Sequence, residues 1–115
     1  MRRKFSFILT ILFVLGVIST VYGLKYQIKT QLVSVGNSAT KLPATALVGR
    51  EYVLITNLDT AKTVYIGAST VTASGSTSGT PLLPSESYYA EYESNINIYG
   101  IVSSGSANVI VEEGK

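Results

Sequence analysis

The chain has 115 residues, 46% of them hydrophobic, with 9 Lys+Arg, 7 Asp+Glu and neither Cys nor His. That excludes disulfides and His- or Cys-ligated metals, and it removes the usual base of acyl-transfer chemistry. Arg2, Arg3 and Lys4 hold three of the nine cations, which leaves residues 25–115 with six against seven, net −1, so no basic face exists for phosphates and no nucleic-acid partner is expected.

The first predicted element is a membrane segment, residues 1–24. After the basic cluster Arg2, Arg3 and Lys4, the chain runs from Phe5 to Leu24 without a charge, and Lys25 closes the run. Its apolar side chains include Phe5, Phe7, Ile8, Leu9, Ile11, Leu12, Phe13, Val14, Leu15, Val17, Ile18 and Val21. A helix of about twenty residues rises about 30 Å, the thickness of a hydrocarbon core. Ser6, Thr10, Ser19 and Thr20 are tolerable there, because a hydroxyl can bond back to its own helix. A secretory signal is the other reading, with Phe5–Ile18 as its apolar core and Val21-Tyr22-Gly23 before the cut. Both readings leave the basic cluster in the cytoplasm and residues 25–115 on the far side. A lipid membrane is a partner in either case.

Residues 25–115 make one small domain rich in Val, Ile, Thr, Ser, Gly and Tyr, which are strand and turn formers. With disulfides and such metals excluded, oligomerisation is the remaining support expected for a domain of this size. Lys25–Leu32 alternates, with Tyr26, Ile28, Thr30 and Leu32 on one face, and predicts a half-buried strand joined to the membrane segment without a linker. Val35–Ser38 is a turn, and Leu42-Pro43-Ala44 begins a second segment that Pro43 keeps out of a central ladder. Glu51–Leu58 is apolar on both faces, as an interior strand is. Asn57–Thr60 turns, with Asp59 accepting backbone hydrogen bonds. Thr63–Gly67 is the next strand, Ser69–Ala73 a short edge strand, and Ser74–Thr80 a flexible loop without apolar side chains. The chain turns again at Pro84-Ser85. Ser87–Tyr92 is a strand with Tyr88, Ala90 and Tyr92 opposite Tyr89 and Glu91, and Ile96–Val102 follows. A last hairpin turns at Ser103–Ser106 into Asn108–Glu112, a terminal strand whose edge pairing Glu112 and Glu113 discourage.

The fold expected is all-β: a small antiparallel sandwich or barrel of seven to eight strands, preceded by one N-terminal transmembrane or signal helix. No cofactor or metal is expected, since residues 25–115 hold a single Asp and no helix follows the Gly-rich 75–79 stretch. Glu91 and Glu93 fall on one side of a strand and could make the pair that glycoside hydrolysis needs, but they read as an exposed acidic face instead. The chain is therefore read as non-enzymatic. The candidate interaction surface is Tyr88, Tyr89, Tyr92 and Tyr99, since Tyr combines an apolar face with a polar tip.

Five pieces in order carry a resemblance. They are Leu42-Pro43-Ala44-Thr45-Ala46-Leu47-x-Gly49-Arg50, Leu54-x-x-Asn57-Leu58, Val64-Tyr65-Ile66-Gly67, Pro81-Leu82-x-Pro84-x-Glu86-Ser87, and Tyr99-Gly100-Ile101-x-x-x-Gly105-x-Ala107-x-Val109-x-Val111-x-Glu113. Over residues 41–113 the chain resembles a small β-domain of tailed-phage and other viral virion proteins. The resemblance implies a structural or decoration module without an active site, assembled on a particle. Such modules lack the N-terminal apolar run, so the expectation becomes a virion protein held in a lipid layer and tied to capsid or other structural partners. If the segment is cleaved, an exported cell-surface or pilus-like subunit assembling through sheet edges is expected. A small module binding glycan or receptor through Tyr side chains and the 74–80 loop is the third possibility.

Overall fold

The computed structural model describes residues 26–115. The segment Phe5–Leu24 and the cluster Arg2-Arg3-Lys4 lie outside the described residues. Among the described residues no helix is long and apolar enough to cross a membrane.

Eight strands form: β1 Ile28–Val35, β2 Thr40–Lys41, β3 Tyr52–Asn57, β4 Val64–Gly67, β5 Thr80–Leu82, β6 Ser87–Ala90, β7 Tyr99–Ile101 and β8 Ala107–Gly114. They make two four-stranded sheets, ordered β1-β8-β3-β6 and β2-β7-β4-β5. All ladders are antiparallel, and β1 pairs with β8, β2 with β7, β3 with β6 and β4 with β5. The pairs are nested and alternate between the two sheets. A long antiparallel hairpin rolled onto itself gives this order, which is that of a jelly roll.

The period-two pattern explains which side chains fill the space between the sheets. Val53 and Ile55 of β3 and Val109 and Val111 of β8 are fully buried. They meet Val64 and Ile66 of β4, Leu82 of β5, and Leu42, Ile98 and Val102 beside β2 and β7. Each such side chain stabilises the fold by roughly 1.5–3 kcal/mol relative to exposure. Asn57 ends the inward row of β3 at 0% exposure. Its Nδ2 donates to the carbonyls of Lys62 and Leu82, and its Oδ1 accepts from the Asp59 amide. The buried amide is thereby satisfied, and it fixes the turn that follows.

Several expectations are corrected. The buried face of β1 is the opposite of the one expected. Ile28 and Leu32 are 72% and 61% exposed, while Val33 and Val35 point inward with Lys29 and Gln31. Period two is right, but the pair that decides the face, Val33 and Val35, lies past Leu32, where the expected strand ended. Ser69–Ala73 is not a strand; Thr72 only bridges Ser78. The loop after it is folded, with a 3-10 turn at Gly75–Thr77 and the Thr72 hydroxyl donating to the Ser74 carbonyl at 2.7 Å. β6 stops at Ala90, and β7 has three residues. β7 and β8 form no hairpin, because Val102–Ser106 carries the chain from one sheet to the other. β8 is no edge strand either; it lies between β1 and β3, paired on both sides, so it cannot donate to a neighbour's sheet.

Candidate interaction surfaces

The jelly roll has two ends, two sheet faces and two open edges on the first sheet. One end holds Tyr26 and Gln27, the end of β8 and the turn Leu47–Arg50. There the Gln27 amide donates to the Lys115 carbonyl at 2.8 Å and the Lys115 amide donates back at 3.0 Å. The other end holds Gly36–Ser38, the Asp59 turn, Pro84-Ser85 and Ser103–Ser106.

The Leu47–Arg50 turn is closed by its own hydrogen bond and anchored from behind. The Arg50 amide donates to the Leu47 carbonyl at 3.1 Å, and Gly49 has φ +74°. Glycine at the third position is what a turn of this kind requires. Behind it, the Arg50 guanidinium meets a Glu113 carboxylate oxygen at 2.8 Å, and that oxygen also accepts from the Leu47 amide at 2.9 Å. The guanidinium donates further to the carbonyls of Tyr92 and Ile96. Arg50 is 2% exposed and Glu113 1%. Sequence reasoning missed this pair. The signal was present: Arg50 is the only arginine after Arg3, and Glu113 continues the inward alternation Ala107, Val109, Val111. Val48, at the turn's corner, is 79% exposed.

The four tyrosines expected to share a surface are divided among three places. Tyr88 and Tyr92 pack against the core, their hydroxyls 3.3 Å apart. They line an open groove of 330 Å³ with Ile66, Ile96 and Ile98. The hydrogen bond to Tyr92, aided by burial, pushes the Tyr88 phenol up to about 12. Tyr89 lies on the outer face of the first sheet, its ring stacked on Tyr52 with centroids 5.7 Å apart. Tyr99 belongs to the second sheet, beside Lys41 and Gly67. Alternation along β6 separates Tyr88 from Tyr89, and the change of sheet separates Tyr99 from both.

The outer face of the first sheet carries cross-strand rows. Leu32, Ile110 and Thr56 form one; Thr30, Glu112, Leu54 and Tyr89 form the next; Ile28, Gly114 and Tyr52 form the last. Glu112 accepts a hydrogen bond from the Tyr52 hydroxyl at 3.1 Å. Partial burial, reinforced by that carboxylate, raises the Tyr52 phenol above its ordinary value.

Glu91 and Glu93 lie beyond β6, not on one side of a strand. With Glu51, Ser94 and Asn95 they rim an open depression of 520 Å³. The guanidinium of Arg50 beside them is committed to Glu113. Ser38 and Lys41 have the Ser-x-x-Lys spacing, but they stand at the turn into β2, with no helix to bring them onto one face. Among the described residues no three His, Cys, Asp or Glu side chains gather as metal ligands would. No protein-family model, curated protein or solved structure matches the chain.

Proposed function

We propose that the chain is a non-enzymatic structural protein of a virion, anchored in a lipid layer by Phe5–Leu24, with its jelly roll packed against capsid or other assembly partners. One observation carries the reading. The β1–β8 ladder is closed at the Gln27–Lys115 pair, only two residues after Lys25. Only Lys25 and Tyr26 separate the uncharged run from that ladder, so a retained run would hold the domain close to the lipid. The nested strand order adds fold-level support, since jelly rolls build viral capsids, although they also build lectins. The far end, away from residue 26, offers Leu58 and Leu83 at 46% and 50% exposure as protein contacts.

A second reading, an exported subunit assembling through sheet edges, has its own support. The open edges β1 and β6 run in opposite directions. Neighbouring copies in the same orientation could therefore pair β1 with β6 antiparallel and continue the sheet. Proteomics of purified lipid-containing particles tests the first reading. The chain is expected in structural amounts and should leave with the lipid on detergent extraction. Its absence from particles, with recovery from cell-envelope filaments, would replace the first reading by the second.

A further inference from the structure

Three side chains stand out from the surface. Val48, Ile28 and Tyr26 are 79%, 72% and 69% exposed, the highest values among the large apolar residues described. All three lie at the end where the chain comes from residue 25. Tyr26 and Ile28 border an apolar depression of 340 Å³ with Tyr52 and Lys115.

Val48 does not protrude by looseness. It sits at the corner of a turn closed by the Arg50 amide and held from behind by the buried Arg50–Glu113 pair. Two ammonium groups flank it: Lys115 Nζ donates to the Val48 carbonyl at 2.8 Å, and Lys29 Nζ donates to the Thr45 carbonyl at 3.1 Å. An apolar tip between lysines, beside an exposed tyrosine, has the composition of a water–lipid interface, where aromatic rings and snorkelling cations are favoured.

We propose that Val48, Tyr26 and Ile28 form a foot that rests in the lipid headgroup layer, with Val48 pointing into it. The proposal builds on the retained anchor of the proposed function. The length of chain commits the occupant to lipid. Leu24 ends the uncharged run and Gln27 is already in the ladder, so at most about 10 Å of extended chain separates the two. No protein layer fits in that distance. Glu51, Glu91 and Glu93 open on the same end, which makes a zwitterionic surface the suitable one. The opposite end is thereby the one presented to the shell.

The chain contains no Trp, so a single substitution supplies a unique reporter. Full-length Val48→Trp, Tyr26→Trp and Ser104→Trp variants are reconstituted into phosphatidylcholine vesicles with or without bromine on the upper acyl chain. Trp at 48 and at 26 is expected to emit at shorter wavelength than in water and to lose most of its emission to brominated lipid. Trp at 104, in the far-end loop, should be unaffected. Solvent-like, unquenched emission at 48 and 26 from a chain whose intact mass includes residues 1–24 would overturn the foot while leaving the anchor standing. A mass beginning at Leu24 would overturn the anchor itself, and the foot with it.

Discussion

Arg50 and Glu113 meet at 2.8 Å with both side chains about 1% exposed, and together they tie three segments of the chain, the Leu47–Arg50 turn, the stretch from Tyr92 to Ile96, and β8. The guanidinium holds the Tyr92 and Ile96 carbonyls, and the carboxylate holds the Leu47 amide at the end of β8. Removing one partner leaves a buried charge uncompensated, which costs about 3–5 kcal/mol. Arg50→Met and Glu113→Leu should each destabilise by that order in urea unfolding. The double variant should lose clearly less than the sum of the two, because neither charge is then stranded. Additive losses would mean that the pair does not act as a unit.

Asp59 accepts from the amides of Ala61 and Lys62, and these hydrogen bonds hold its carboxyl below the usual 3.8. A depressed carboxylate contributes stability above its unfolded value and loses it as pH falls through the folded one. Asp59→Ala should therefore be less stable than the parent at pH 7. The gap should narrow once pH drops below the unfolded value of 3.8 and vanish below the folded one. Denaturation curves across that range check this; a gap independent of pH would assign the loss to packing alone.

Tyr88 carries the opposite sign. Its phenol is pushed up to about 12 by the hydrogen bond with Tyr92 and by burial. The unfolded phenol ionises near 10, so stability should drain as pH rises between these values. Ultraviolet titration should show one tyrosine ionising last, and Tyr88→Phe should remove that component. If the late component survives the substitution, another tyrosine is responsible.

The loop after β4 is folded against the sheet. A Cβ on Gly79 would stand 2.5 Å from the Ile66 carbonyl oxygen and 2.6 Å from a Val71 methyl. Gly79→Ala should cost roughly 1–3 kcal/mol as overpacking. Gly75→Ala, whose Cβ would meet nothing, tests backbone strain alone, since Gly75 has φ +80°. If Gly79→Ala proves neutral, the loop is not held in this way.

Much of this was legible along the chain. Apolar residues on both faces of Glu51–Leu58 marked an interior strand, which β3 is, and the Asp59 and Pro84-Ser85 turns stand where turn chemistry put them. The strand expected at Lys25–Leu32 stopped short of Val33 and Val35, the pair whose inward position turns Ile28 and Leu32 outward. What else stayed hidden depends on contacts between distant strands. Nothing local says that β8 enters between β1 and β3, eighty residues away from the former. The Tyr grouping failed for the same reason: Tyr88 and Tyr99 are near in sequence but belong to different sheets. Ser-Gly composition suggested a loose 74–80 loop, whereas side-chain hydroxyls of Thr72 and Thr77, 2.8 Å apart, close it.

The central claim is that residues 1–24 stay on the protein as its attachment. Intact-mass measurement of the native protein, extracted from its membrane or particle without proteolysis, tests that most directly. The account predicts a mass that includes the Phe5–Leu24 run, recovered only with detergent. A mass corresponding to a chain that begins at Leu24, recovered without detergent, would contradict it.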